Sequence, residues 1–165
     1  MPENEYVPTK PYFIKSGERI GKSLEDLIFR DFGWLSIQQK FLIESMRNGS
    51  KLNAMHMHLL WIMDRMAEKL ALQVCPYCGK NNISFFGYNY PEKKYYTCCD
   101  TWHPCAGEVL AKAVRFPLRL SAEIQPVPWN SGRHIVAFFL SVFPDCKNMT
   151  AQQLFEFFAA QSPGK

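Results

Sequence analysis

The chain has 165 residues, of which 47% are hydrophobic, 15% aromatic and 21% charged, with a formal net charge of +4. Such a composition supports a folded core and excludes a disordered chain, and the longest apolar stretch, from Ile135 to Phe143, is about half of what a membrane-spanning helix requires. This positive charge permits a polyanionic partner, but it is smaller than the excess of basic residues that is typical of dedicated nucleic-acid-binding domains.

The first eleven residues are polar and contain three prolines, without a positively charged segment followed by an apolar block. We therefore expect no secretory signal and a cytoplasmic location. The chain also has six cysteines. In a reducing compartment, clustered cysteines are more typical of metal ligands than of disulfides, so we expect a thiolate metal site.

The first predicted elements are a short strand, a glycine-marked turn and a helix. Residues Tyr12 to Lys15 form the candidate strand, and Gly17 and Gly21 mark the turn. Ser23 is a good N-cap because acidic residues follow it in the first helical turn. We expect this helix to end near Phe32.

Two longer helices are predicted next. The first runs from Trp34 to Arg47 and is stopped by Asn48 and Gly49. The second, from Leu52 to Val74, has the strongest helical periodicity, since apolar residues recur at steps of three and four. We expect it to continue directly into Cys75 and to pack against the cysteine-containing segment.

The remainder of the chain alternates between strand and helix signals. The predicted elements are strands at 83–87 and 94–98, a short helix at 106–115, a strand at 116–124, a helix or strand at 134–143, and a final helix from Thr150 to Gln161. The fold class is α+β, with a C-terminal strand and helix packed back on the body. We expect one compact unit over 1–165, with sub-modules at 12–48, 50–74, 75–105 and 106–165.

Four cysteines have the spacing of a zinc site. Cys75 and Cys78 form a Cys-x-x-Cys turn, and Cys99 and Cys105 follow about twenty residues later. Such a turn presents two thiolates to one ion, and a second pair closes the site across a hairpin. Because four thiolates fill a tetrahedral coordination sphere, we expect one structural Zn²⁺ and no enzymatic activity.

Cys98 and His103 are alternative ligands. Neighbouring side chains in a strand point to opposite faces, so only one of Cys98 and Cys99 is expected to reach the ion. The spacing favours Cys99.

The segment of about residues 75–105 resembles the zinc ribbons at the C-termini of bacterial type I topoisomerases. The match includes Trp102 and Pro104 between the last two cysteines, whereas Cys98 stands where glycine is frequent. The resemblance implies a structural zinc site on a β-hairpin, in a class of module that often holds single-stranded DNA.

The segment of about residues 12–36 resembles the exodeoxyribonuclease X-like C-terminal family, which also occurs in stand-alone proteins described as quorum-sensing-regulated virulence factors. The residues that match are Gly17, Gly21, Lys22, Ser23, Leu24, Asp31, Gly33 and Leu35. Ser16, Glu18 and Phe32 depart from the family pattern. The resemblance implies a compact, non-catalytic module attached to nucleic-acid enzymes, and Lys22 at the helix start is a candidate anion contact.

Lysines and aromatic rings alternate through the cysteine segment. Lys80, Lys93, Lys94 and Trp102 are the candidate nucleic-acid contacts, since exposed rings beside cations stack with unpaired bases. The same rings equally suit core packing or a protein interface. We expect a non-enzymatic zinc protein that binds single-stranded or irregular nucleic acid; the alternative is a protein–protein adaptor or assembly subunit with purely structural zinc. No membrane partner and no small-molecule substrate are expected.

Overall fold

A computed structural model of the chain describes residues 6–89, 91–92, 94–99, 113–117 and 132–160. In chain order its elements are α1 (Leu24–Ile28), α2 (Phe32–Arg47), α3 (Ala54–Ala71), β1 (Phe85–Asn89), β2 (Lys94–Cys98), β3 (Ala113–Pro117), α4 (Gly132–Val142), a 3-10 helix (Pro144–Asn148) and α5 (Ala151–Ala159). Helix predominates over strand, so the expected α+β class is confirmed at that level.

The N-terminal turn has the predicted form. Ile14 N–H donates to Lys22 O over 2.8 Å and Gly21 N–H donates to Ile14 O over 2.9 Å, which closes a tight hairpin. Gly21 has a φ of +84°, a left-handed conformation that glycine adopts without a steric penalty. Ser23 then caps α1, since its Oγ accepts from Asp26 N–H at 3.0 Å.

The boundary between α1 and α2 differs from the prediction. Helix α1 ends at Ile28, and α2 begins at Phe32, which was expected to end the first helix. The reason is local: the Asp31 carboxylate accepts from Trp34 N–H at 3.4 Å and so acts as the N-cap of α2.

Helix α3 ends earlier than its hydrophobic pattern indicates. It stops at Ala71 and does not continue into Cys75. Val74 instead forms an antiparallel bridge with Asn82. This pairing withdraws the last predicted residues from the helix and starts a β-type turn three residues after the helix ends.

One large hydrophobic core joins the helices in the described part of the chain. Its most buried members are Leu24, Ile28, Leu35, Leu42, Leu59, Ile62, Met63, Leu70, Phe139, Leu154 and Phe158. Helix α5 contacts α1 and α3. Arg65 fixes the end of α5, because its guanidinium donates to Phe158 O at 2.7 Å and to Ala160 O at 2.6 Å.

The three strands form an antiparallel sheet in the order β2-β1-β3. In its register Phe85 is opposite Cys98 on one side and Pro117 on the other. The predicted helix at 106–115 is therefore wrong over Ala113–Arg115, and its earlier part lies outside the described residues. Helix α4 contacts both α2 and β2, which attaches the sheet to the helical body.

None of the helices in the described part of the chain combines the length and apolarity that a membrane span requires.

A buried polar pair joins the N-terminal segment to α3. Glu25 and His58 have side chains that are 0% and 1% exposed, and His58 Nε2 lies 2.5 Å from Glu25 Oε2. Tyr12 N–H donates to the other carboxylate oxygen at 3.2 Å, and the Tyr6 hydroxyl lies 2.8 Å from His58 Nδ1. If Nε2 carries the proton, every polar atom of the imidazole has a partner, as burial of such a group requires.

We expect His58→Ala to lower the free energy of unfolding by about 3–5 kcal/mol, because it leaves the Glu25 carboxylate buried without its partner. Tyr6→Phe is the matched control, since it removes one hydrogen bond at a half-buried position and is expected to cost about 1 kcal/mol. Urea unfolding of both variants measures the difference. Equal losses in the two variants would show that the pair does not carry the predicted energy.

Candidate metal centre

A tight turn presents Cys75 and Cys78. Gly79 N–H donates to Cys75 O at 2.9 Å, and Cys75 N–H donates to Asn81 O at 2.8 Å. Gly79 has a φ of +65°, so the turn requires a residue that tolerates the left-handed region. Both cysteines therefore project from one internally hydrogen-bonded loop.

The β1–β2 hairpin brings a second pair of cysteines to this loop. Cys98 is the last residue of β2, and its carbonyl accepts from Ser84 N–H at 3.0 Å. Cys99 follows immediately, outside the strand. The Cys75 loop leads into β1 within a few residues, and the start of β1 pairs with the end of β2. The hairpin therefore brings the end of β2, where Cys98 lies, back to the Cys75 loop.

The sulfur atoms of these residues converge. Sγ of Cys75 lies 4.0 Å from Sγ of Cys98, and Sγ of Cys78 lies 4.0 Å from Sγ of Cys99. The sulfurs of Cys75, Cys98 and Cys99 are all within 4.8 Å of one another. Four thiolates around a zinc ion at about 2.3 Å are separated by about 3.8 Å. The mutual spacing of the Cys75, Cys98 and Cys99 sulfurs is close to this value, and Cys78 lies beside the trio at Cys99.

The cluster is buried and is not cross-linked. Cys75, Cys98 and Cys99 are 0–1% exposed, whereas Cys78 is half-buried at the edge. The five described cysteines are not joined in disulfides. The group forms its own small cluster with the half-buried side chains of Tyr77, Phe85 and Tyr96. This arrangement can hold a metal ion in a largely apolar environment.

Both Cys98 and Cys99 lie in the sulfur cluster, although only one of them is expected to reach the ion. Alternation of side chains applies only where both neighbours have strand conformation. Strand β2 ends at Cys98, so the backbone at Cys99 is not held in the ladder. Both sulfurs consequently lie in the same cluster.

Asn81 is a site residue that the sequence analysis missed. Its Nδ2 donates to Sγ of Cys99 at 3.9 Å, and its carbonyl accepts from Cys75 N–H. A polar residue two positions after a Cys-x-x-Cys-Gly run was a signal available in the sequence. Such donors orient metal-binding thiolates and lower their charge density.

Several predicted site residues lie outside the described residues: Lys93, Trp102, His103 and Cys105. Lys80 and Lys94 are described, and both are exposed, one on the cysteine turn and the other on β2. Lys94 Nζ lies 5.3 Å from the centroid of the Tyr96 ring. The Tyr96 hydroxyl donates to Glu92, and this hydrogen bond raises the pKa of Tyr96 above its usual value.

Lys22 belongs to a different part of the protein. It is exposed on the N-terminal hairpin, whose Ile14 is part of the large helical core, whereas the cysteines form a separate cluster. At the adjacent start of α1, Ser23 already accepts from Asp26 N–H. The expected anion contact at Lys22 therefore has no geometric link to the cysteine site.

Cys146 is a structural thiol. It lies in the 3-10 helix and is buried in the helical core. Burial raises the pKa of the Cys146 thiol to about 11, with Asp145 adding to the effect and Lys69 opposing it. A thiol that stays protonated at neutral pH is a poor metal ligand.

We expect the purified protein to contain one zinc ion per chain, and Cys75→Ser to lose it. Cys146→Ala is the matched control and is expected to keep the metal, because its sulfur lies in the helical core. Elemental analysis of both variants measures zinc per chain. Zinc affinity is also expected to fall as the pH is lowered, since protons compete for the thiolates. Loss of zinc from the Cys146 variant alone would contradict the assignment.

No protein-family model matches the chain, and no curated protein or solved structure is significantly similar to it. The two family resemblances of residues 12–36 and 75–105 therefore stay predictions. The functional interpretation depends on the geometry of the site itself.

Proposed function

We propose that the protein is a non-enzymatic zinc-binding protein whose cysteine hairpin binds single-stranded or irregular nucleic acid. One observation carries the proposal: cysteines from two segments about twenty residues apart converge in a buried cluster with spacings that suit a tetrahedral ion. Thiolate ligands favour soft or borderline metals, and tetrahedral sulfur sites are typical of zinc.

The zinc ion would act structurally. The cysteine cluster has few apolar neighbours of its own, in contrast to the large core of the helices. A small β-module of this kind gains its folding energy from the metal, which ties the Cys75 loop to the end of β2. Four thiolates leave no coordination position for a substrate, which supports a binding role over a catalytic one.

The nucleic-acid interaction is inferred from the surface around the site. Lys80 and Lys94 are exposed, and Tyr77 and Tyr96 are half-buried beside the cysteines. Rings of this kind stack with bases at about 1–3 kcal/mol each, while the ammonium groups contact phosphates. A formal net charge of +4 is compatible with such a partner.

The test is fluorescence anisotropy of the zinc-loaded protein with a short labelled single strand at several salt concentrations. We expect the logarithm of the affinity to fall linearly with the logarithm of the salt concentration. Each phosphate contact removed by Lys80→Glu or Lys94→Glu is expected to reduce the magnitude of that slope by about 0.7. Lys51→Glu, at an exposed lysine before α3, is the charge-matched control and should lower affinity less.

The absence of measurable binding at low salt would contradict the nucleic-acid proposal and leave the adaptor function. A specific observation favours that second candidate. Ile37 and Phe41 are 42% and 49% exposed, one helical turn apart on α2. In an adaptor the zinc would be purely structural.

A further inference from the structure

We propose that the four zinc ligands are Cys75, Cys78, Cys98 and Cys99, so that two adjacent residues both bind the ion and Cys105 is not required. This inference depends on the proposed zinc-binding function and names its ligand set. It differs from the set expected from sequence spacing, in which Cys105 closes the site and Cys98 lies outside it.

The distances favour Cys98 as strongly as any other ligand. Its sulfur is 4.0 Å from that of Cys75 and within 4.8 Å of that of Cys99. Cys98 is 0% exposed, and its burial cluster consists of the other cysteines and their aromatic neighbours. The Cys78 sulfur, 4.0 Å from that of Cys99, supplies the fourth corner. Three sulfurs are thus within 4.8 Å of one another, and the sulfur of Cys78 adjoins them at Cys99.

The backbone explains how adjacent residues converge. The Cys98 carbonyl is fixed in the hairpin by its hydrogen bond from Ser84 N–H, which sets the direction of the Cys98 side chain. Cys99 is past the last strand residue, so its backbone can rotate its sulfur toward the Cys75 loop. The end of β2 therefore decides that both neighbours face one point.

Asn81 completes the arrangement as a positioning residue. Four thiolates and one Zn²⁺ have a net charge of about −2, which is unfavourable in a buried site unless hydrogen-bond donors compensate it. Asn81 Nδ2 donates to Sγ of Cys99, and its own backbone is fixed by Cys75 N–H. Asn81 consequently links the two arms that supply the ligands.

The first experiment compares Cys98→Ser with Cys105→Ser in the full chain. Zinc affinity is measured by competition with a chromophoric chelator, and the number of bound thiolates by the sulfur-to-metal absorption of the Co²⁺-substituted protein. We expect Cys98→Ser to weaken zinc binding by more than about 100-fold, which exceeds the usual effect of removing a residue that only hydrogen-bonds to a ligand. Cys105→Ser is expected to bind zinc like the wild type.

Each other outcome is decisive. If Cys105→Ser loses the metal, alone or together with Cys98→Ser, or if Cys98→Ser binds normally, the ligand set is overturned while zinc binding stands. If the wild-type protein binds no zinc, the proposed function itself fails.

A second measurement avoids variants that fail to fold. Wild-type protein is alkylated with and without zinc, and modification of each cysteine is followed by mass spectrometry. We expect zinc to protect Cys98 and Cys99 and to leave the rate at Cys105 unchanged. Protection of Cys105 with continued modification of Cys98 in the zinc form would overturn the ligand set.

The role of Asn81 is tested with Asn81→Asp, which keeps the size of the side chain but replaces the donor with a negative charge. We expect zinc affinity to fall by roughly 10–100-fold. Asn82→Asp, at the neighbouring exposed position, is the matched control and should change affinity little. Equal effects of the two substitutions would show that Asn81 has no specific role.

Discussion

Convergence of cysteine sulfurs joins the Cys75 loop to the end of the β1–β2 hairpin, and the proposed role of the sheet depends on this contact. Cys75, Cys98 and Cys99 are almost completely buried. In their thiolate form these sulfurs would repel one another and be poorly solvated, so a cation between them would be needed to stabilise the ionised cluster. A metal ion would convert this electrostatic cost into a cross-link between the Cys75 loop and β2, in a module with few apolar contacts of its own.

The helices and the cysteine hairpin belong to two separate clusters of buried residues. The helices share a hydrophobic core that extends from Ile14 to Phe158 and contains the satisfied Glu25–His58 pair. The sheet is attached to this body by α4 and by the short segment after α3. With the proposed metal bound, the hairpin would be held rigidly beside the helical body, and loops and hairpins recognise partners best when a scaffold positions them.

Much of the local structure followed from signals that lie within a few residues. Ser23 caps α1, and Thr150 caps α5 through a capping box with Gln153, as their hydroxyl side chains predicted. Strand β2 has the predicted bounds, whereas β1 is shifted two residues from the predicted 83–87. The exception was Asp31: it is a local cap, but its signal was not recognised, so the start of α2 was placed two residues late.

The sequence by itself determined most of the described helices, the hairpin and the clustering of the cysteines, because caps, periodicity and the Cys-x-x-Cys turn act over short distances. The tertiary structure decided which groups meet. The Glu25–His58 pair joins residues 33 apart, and the end of α3 was set by the pairing of Val74 with Asn82. Cys98 and Cys99 share the cluster because β2 ends at Cys98 and leaves the backbone of Cys99 outside the ladder, and strand pairing depends on the partner strand as well as on a strand's own residues.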